Sequence, residues 1–365
     1  MDGATVPRGW INRLAASRRF HGLAARLPVL HRIARAEGMA IFDLMQGFVA
    51  SQMLLALVEL RILHRLAEAP CTPEALAALA EVSEDRMRLL LQAGAAMGLL
   101  KRRRDGRFAL ARRGAVFLGV PGLEGMVRHQ RVLYGDLADP VAFLRGRTEP
   151  ELARFWPYVL GPGAAADPRQ AAVYSRLMAD TQSLVAEETL ARVDLGGVRR
   201  LMDVGGGTGL FLAAAAARYP ALQVTLFDLP AVVAQSRLGQ LGPRAQIVAG
   251  SFRDGPLPEG ADAISLVRVL YDHDDRTVAA LLARCRAALP PGGRLIVSEP
   301  MSGGARPDRA ADLYFALYTA AMNTGRTRSA AEIAELAVRA GFSGIRVGPR
   351  TRSFVTCVLL AVRPA

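Results

Sequence analysis

The chain has 365 residues, 51% of them hydrophobic and 22% charged, and its formal net charge of +13 comes almost entirely from arginine. That length and apolar content suffice for a substantial core in more than one domain and exclude a disordered or low-complexity chain. No repeat of fixed period is visible; three scattered cysteines (Cys71, Cys285, Cys357) and five scattered histidines give no metal-ligand spacing; no secretory signal opens the chain. The expectation is a cytoplasmic protein in a reducing compartment, with no metal.

In chain order, residues 1–38 form a basic segment. Arg8 to Gly38 holds seven arginines and one acid, Glu37, with Trp10 and aliphatic residues recurring at roughly helical spacing. That pattern fits a basic amphipathic helix on an anionic membrane surface, or a solvated helix packing on a partner subunit. The arginine excess also fits nucleic acid, or simply a GC-rich genome. Residues 39–120 read as a helical domain. "FDLMQGFVASQMLLALVELRILHRLAE" is apolar nearly all the way round, as in a helix buried against another subunit. Its longest uncharged run, Leu44 to Val58, reads as too short and too polar to span a bilayer.

Two short helices follow, with Thr72 and Ser83 as N-caps and Pro73 at a first helical position. Asp105-Gly106 then marks a tight turn between two short strands. Helix, turn, helix and hairpin is the plan of a winged helix. The second helix opens on Glu84 and Asp85, which would face DNA phosphates badly, so a dimerisation module is expected in place of nucleic-acid binding. Residues 121–195 read as a helical linker whose Phe143, Phe155, Trp156, Tyr174 and Met178 supply a greasy acceptor pocket, although each alone could be ordinary core.

From residue 196 to 365 the rhythm becomes β-α-β-α. "RRLMDV", "LQVTLFD", "AQIVAG", "AISLVRV" and "GRLIVSE" alternate with "LFLAAAAARY", "PAVVAQSRLGQL" and "TVAALLARCRAAL". The tail adds two strands joined by a short turn. The fold class is α/β: a mostly parallel, seven-stranded, Rossmann-like sheet with an antiparallel C-terminal hairpin, preceded by the α-helical winged-helix domain.

The first strand of this half runs into "LMDVGGGTGLF", and a tight turn does not need four glycines in five residues. Such a bare backbone at the carboxyl end of a strand lets a ligand lie against it. The spacing D-x-G-x-G-x-G, on Asp203, Gly205, Gly207 and Gly209, is neither the dinucleotide pattern nor a Walker loop. Asp228 ends the second strand about 20 residues on, where an acid accepts hydrogen bonds from ribose hydroxyls. A nucleoside without a diphosphate follows, and S-adenosylmethionine fits.

With those motifs, the C-terminal half resembles the class I S-adenosylmethionine-dependent methyltransferases. The chain from about Met39 onward resembles the plant-caffeate-type O-methyltransferases and their bacterial relatives. "WINRLAASRRF", "FDLMQGFVASQMLLALVELRILHRLA" and "SLVRVLYDHDD" resemble, within that family, the carotenoid O-methyltransferases of purple bacteria. The resemblance implies a winged-helix homodimer and a cofactor site of Asp203, Gly205, Gly207, Asp228, Ser251, Phe252 and Arg268. Ser251 stands where the family has an acid for the adenine amino group, and Phe252 would stack on the ring. The implied acceptor is lipophilic: the tertiary C1 hydroxyl of an acyclic carotenoid of the hydroxyneurosporene or demethylspheroidene kind. A tetrapyrrole and a polyketide phenol are the alternatives in class, and a winged-helix DNA-binding regulator the alternative outside it. The basic N-terminal segment would collect such an acceptor at the inner, photosynthetic membrane.

The implied catalytic set departs from the family motif R-V-L-H-D-W, whose histidine is the general base. Here Tyr271 takes that position, and His273 lies two residues on. Glu299 matches an acid flanking the base, while the second flanking acid is replaced near Thr327. A phenol near pKa 10 is a poor base at neutral pH. Tyr271 is therefore expected to orient the acceptor hydroxyl, the proton leaving late or through water.

Overall fold

The computed structural model describes residues 9–17, 20, 27–155, 181–348 and 356–365. The chain forms two compact units that meet between Leu118 and Gly119.

In the first unit a short helix, Trp10–Ala15, is followed by a 32-residue helix, Pro28–Glu59. The long helix runs through residues 38 and 39 without a break, so the expected boundary there has no structural mark. Gly38 tolerates this because it has a helical backbone and nothing crowds it. The helix is long and apolar enough to cross a membrane by length and composition, contrary to the reading of its uncharged run alone. Its Ile41, Phe42, Leu44, Met45 and Phe48 are exposed.

The winged-helix plan is present as helices Pro73–Leu79 and Glu84–Ala96 and the antiparallel pair β1 (Leu100–Arg102) and β2 (Phe108–Leu110). Thr72 caps its helix by accepting from the Ala75 N–H at 3.3 Å, whereas Ser83 occupies the N-cap position without a side-chain hydrogen bond. Leu57, Leu63, Leu76, Met87, Leu91 and Leu100 close a single core beneath the hairpin.

The second unit is built on seven strands: β3 (Arg200–Val204), β4 (Gln223–Asp228), β5 (Ala245–Ala249), β6 (Ala263–Val267), β7 (Arg294–Glu299), β8 (Ser343–Val347) and β9 (Cys357–Val362). Their order is β5-β4-β3-β6-β7-β9-β8, all parallel except β9, which runs antiparallel to both β7 and β8. The last two strands are separated by nine residues, so the link is longer than a tight turn. The stretch expected to be one helix after β4 is broken into Pro230–Val233 and a 3-10 segment, Leu238–Arg244, where Gly242 and Pro243 interrupt helical geometry.

Both faces of the sheet are covered, as a parallel sheet requires. Leu201 packs with helix Leu210–Arg218 on one side, while Met202 and Val204 pack with helix Asp275–Ala288 on the other. From β3 the chain winds outward through β4 and β5, then returns to the other side of β3 with β6. The sheet order therefore reverses between β3 and β6, and the crevice above that pair is where such sheets bind ligands.

Candidate active site

The carboxyl end of β3 opens directly into the glycine loop. Gly205, Gly207 and Gly209 all have positive φ (70°, 62° and 86°), which side chains rarely adopt. A Cβ on Gly206 would lie 2.5 Å from Asp203 Oδ2, so this glycine, passed over in the alternating pattern, is needed for packing. A Cβ on Gly207 would meet nothing within 4 Å. The loop is thus tight beneath and open above, as a backbone shaped for a ligand should be.

Asp228 ends β4 beside this loop. Its Oδ2 accepts the Gly207 N–H at 2.7 Å and its Oδ1 the Leu229 N–H at 2.7 Å. Burial raises its pKa to about 6 against those two hydrogen bonds. Asp203 is fully buried and faces Ser265 across the β3–β6 register. The Ser265 hydroxyl donates to its Oδ1 at 2.6 Å, while Oδ2 has no partner among the described residues. Desolvation, reinforced by Asp228, raises Asp203 to about 7. Two protonatable acids and an orphaned carboxyl oxygen around a bare loop fit a cationic nucleoside.

Beyond β5, the Ser251 hydroxyl accepts the Arg253 N–H at 3.1 Å and so shapes its own loop. Phe252 packs on the core and meets His273 edge-on, ring centroids 5.2 Å apart.

After β6 the chain makes the turn that carries the motif. Arg268 adopts φ 60°, left-handed for a residue with a side chain, at a cost of about 1–2 kcal/mol. The guanidinium donates to Thr181 Oγ1 at 3.0 Å. Leu270–Asp272 then forms a 3-10 turn. Glu299, at the end of β7, grips this turn from one side: Oε1 accepts the N–H groups of Val269 and Leu270 at 2.7 Å each, and Oε2 that of Tyr271 at 3.4 Å. Burial raises its carboxyl to about 7.

Arg328 grips the same turn through its carbonyls, a role that nothing in the sequence singled out. Although almost wholly buried, it donates to Leu270 O at 2.9 Å, His273 O at 2.7 Å and Asp275 Oδ1 at 2.7 Å. Gly325 lies so close that a Cβ there would come within 2.3 Å of the Tyr271–His273 backbone. Thr327, near which the second flanking acid was expected to be replaced, is hydrogen-bonded to Ser302 through its hydroxyl.

The turn directs its two candidate side chains differently. Tyr271 is buried, and desolvation pushes its phenol well above the ordinary range. The His273 ring faces Phe252, and its Nδ1 lies 3.0 Å from an Arg253 guanidinium nitrogen. Burial, and then Arg253, lower His273 to about 4. Of the expected acceptor residues, Phe143 is half-buried against Leu133, Leu152, Tyr318, Ala321 and Met322. Trp156, Tyr174, Met178 and the Phe155 side chain lie outside the described residues.

A glycine cradle, an acid hydrogen-bonded to it at the end of the next strand and a buried, doubly gripped turn at the switch point define an S-adenosylmethionine-dependent methyltransferase. When bound, this cofactor supplies a methyl group on a sulfonium sulfur. The chain's task is to hold an acceptor oxygen in line, exclude water and remove a proton.

Comparison with known proteins narrows the class. The chain matches the O-methyltransferase domain over residues 134–343 and the O-methyltransferase dimerisation domain over residues 42–119, and it belongs to that family. It is 62% identical to the demethylspheroidene O-methyltransferase of Cereibacter sphaeroides, over 97% of this chain and 94% of that one. To the enzyme of the same name from Rhodobacter capsulatus it is 55% identical, over 99% and 92%. Among solved structures it is similar to human N-acetylserotonin methyltransferase in complex with S-adenosylmethionine, at a TM-score of 0.72 and 26% identity, covering 90% of this chain and 98% of that one. The exposed Phe42, Leu44, Met45 and Phe48 of the long helix fall inside the dimerisation domain.

The raised acids make a pH prediction. Asp203, Asp228 and Glu299 hold protons in the folded protein to higher pH than in the unfolded chain. Their contribution is present near pH 4 and is lost as pH rises through about 6 to 7. The cofactor-free protein should therefore melt at progressively lower temperature between pH 5 and pH 7, and Asp203→Asn should flatten that slope. Scanning calorimetry across this range checks it; a melting temperature that climbs with pH would contradict it.

Proposed function

We propose that the protein transfers the methyl group of S-adenosylmethionine to the tertiary hydroxyl of an acyclic carotenoid of the hydroxyneurosporene or demethylspheroidene kind. The observation that carries this reading is the 62% identity, over nearly the whole chain, to an enzyme named for demethylspheroidene. The site supports it. A phenol acceptor is activated by a base, but a tertiary alcohol is too weakly acidic for any side chain to ionise beforehand, and here Tyr271 replaces the base.

In this reading Tyr271 orients the acceptor hydroxyl through one hydrogen bond. Tyr271→Phe should then lower kcat about three- to tenfold, while His273→Ala should cost less than about tenfold, below the range of a general base. Abolished turnover in His273→Ala with intact cofactor binding, beside a normal Tyr271→Phe, would reverse the assignment. The reading as a whole is tested by incubating the protein with labelled S-adenosylmethionine and, separately, a hydroxylated acyclic carotenoid, a phenol and a tetrapyrrole acid. A methyl ether on the carotenoid supports it; methylation of the phenol or tetrapyrrole alone overturns it.

The acceptor's home in a bilayer gives the N-terminal segment a use. Trp10, Val29 and Ile33 are 71%, 70% and 56% exposed, with Arg13, Arg32 and Arg35 interspersed, upstream of the dimerisation domain. This segment rests on the anionic surface of the photosynthetic membrane, with the rest of the enzyme on the cytoplasmic side. Co-sedimentation should occur with vesicles containing phosphatidylglycerol but not with phosphatidylcholine alone. Salt, or Ile33→Glu, should weaken it. Failure to bind anionic vesicles at low salt would remove this part of the proposal.

A further inference from the structure

We propose that His129, acting through Tyr318, receives the proton that the acceptor hydroxyl loses on methylation, the task left open by Tyr271. The inference rests on the acceptor being an alcohol and concerns residues that neither the motif nor the family pattern designates.

The two side chains come from distant parts of the chain. His129 lies in helix Leu123–Asp136 and Tyr318 in helix Ala316–Met322, yet His129 Nε2 is 2.7 Å from the Tyr318 hydroxyl. Helix Ala316–Met322 packs against the Leu270–Asp272 turn that carries Tyr271, and burial raises the Tyr318 phenol well above its ordinary range. Tyr318 is buried in the same cluster as Met322, and Phe143, one of the residues expected to line the acceptor pocket, packs against that cluster. Tyr318 is held in place by Tyr314, whose ring stacks on it at a centroid distance of 5.9 Å and an interplanar angle of 28°. Tyr314 is delivered by a π-type segment, Arg309–Phe315, a rare geometry that often marks functional positions.

The two obvious receivers of the proton are disabled. The Tyr271 phenol is held neutral by burial, and the His273 ring nitrogen is engaged with Arg253. His129, half-buried, is lowered to about 4 by desolvation, as His273 is, but its Nε2 faces the Tyr318 hydroxyl where the His273 Nδ1 faces a guanidinium. His129 therefore rests as a neutral acceptor at any physiological pH. Such weakness is no handicap here. An alcohol oxygen that has gained a methyl group carries three bonds and a positive charge, and its O–H is far more acidic than an imidazolium. The weak base then gives the proton up to water readily.

The step balances as follows. The acceptor oxygen uses a lone pair to form its bond to the methyl carbon, and the carbon–sulfur bonding pair stays with sulfur, which becomes neutral. The acceptor O–H bond breaks toward the Tyr318 oxygen as Tyr318 passes its own hydroxyl proton to His129 Nε2. The positive charge thus moves from sulfur to imidazole and leaves as a solvent proton, with no other reactant.

The relay requires His129 to carry its resting proton on Nδ1, leaving Nε2 free to accept. Nitrogen NMR of histidine-labelled protein, free and loaded with S-adenosylhomocysteine, reads this directly. An Nδ1–H tautomer above about pH 5 is expected, and an Nε2–H tautomer overturns the proposal. In turnover, His129→Gly and Tyr318→Phe should each lower kcat on the order of 10²-fold, with the affinity for S-adenosylhomocysteine unchanged. Added imidazole should restore His129→Gly but not Tyr318→Phe. Unchanged kcat in either variant, or a His129→Gly loss that imidazole does not relieve, also overturns it. If the wild-type protein methylates only a phenol, the acceptor reading has failed, and the tautomer measurement still decides whether Nε2 can accept.

Discussion

Replacing Asp228 by alanine is expected to weaken S-adenosylmethionine binding by about 10²- to 10⁴-fold, the effect of losing two hydrogen bonds to a charged group at about 1.5–3 kcal/mol each. The expectation starts from position: Asp228 ends β4, next to the strand that opens the glycine loop. Each of its oxygens already accepts one backbone N–H, from Gly207 and Leu229. Those bonds fix the carboxylate so that its remaining lone pairs are set before the ribose arrives, and they tether the loop. Asp228→Asn, which keeps one acceptor but loses the charge, should fall between wild type and alanine. Titration calorimetry with S-adenosylmethionine and its demethylated product measures the series. A dissociation constant for Asp228→Ala within about threefold of wild type, under the 1.4 kcal/mol of a tenfold change, would show that the nucleoside does not use this acid.

The second large effect is expected at Glu299, on the fold and the chemistry together. Truncation to alanine leaves the buried N–H groups of Val269, Leu270 and Tyr271 without their acceptor. At about 1–3 kcal/mol for each unpaired buried donor, and allowing for partial relaxation, the loss is about 3–6 kcal/mol. The melting temperature should drop by at least about 6 °C. Because these amides set the turn that carries Arg268 and Tyr271, kcat should collapse in the surviving folded protein. Glu299→Gln retains an oxygen to accept and should keep most of the stability. The pair therefore separates the grip on the turn from the charge. A melting temperature for Glu299→Ala within about 2 °C of wild type, less than 1 kcal/mol here, would mean the turn holds itself.

The glycine loop and the acid hydrogen-bonded to it were legible in the sequence because their parts are local. Asp203 and the glycines stand side by side, and Asp228 follows at the interval set by one helix and one strand. The change of histidine to Tyr271 was legible for the same reason, as one letter within a short motif. Gly206 was in plain view within the glycine run, but its need appears only when Asp203 Oδ2 is found 2.5 Å from where a Cβ would sit.

Other parts had no local signature. Arg328 is one arginine among many, and its burial against the carbonyls of Leu270 and His273 depends on two loops more than 50 residues apart. His129 and Tyr318 are 189 residues apart and belong to no motif. The sequence places His273 two residues beyond the motif position, but only the fold shows that the turn presents its ring to Phe252 and Arg253.

The sequence by itself determined the alternation of strands and helices, the winged-helix plan, the bare loop with an acid one strand away, and the tyrosine at the motif position. Each depends on residues within a few turns of one another, where periodicity, caps and glycine act directly. Only the tertiary structure decided which acids are stripped of water, how Glu299 and Arg328 hold the motif between them, and which distant histidine reaches a tyrosine beside it. Desolvation and hydrogen bonding depend on what the folded sheet brings together, and chain spacing carries no record of that.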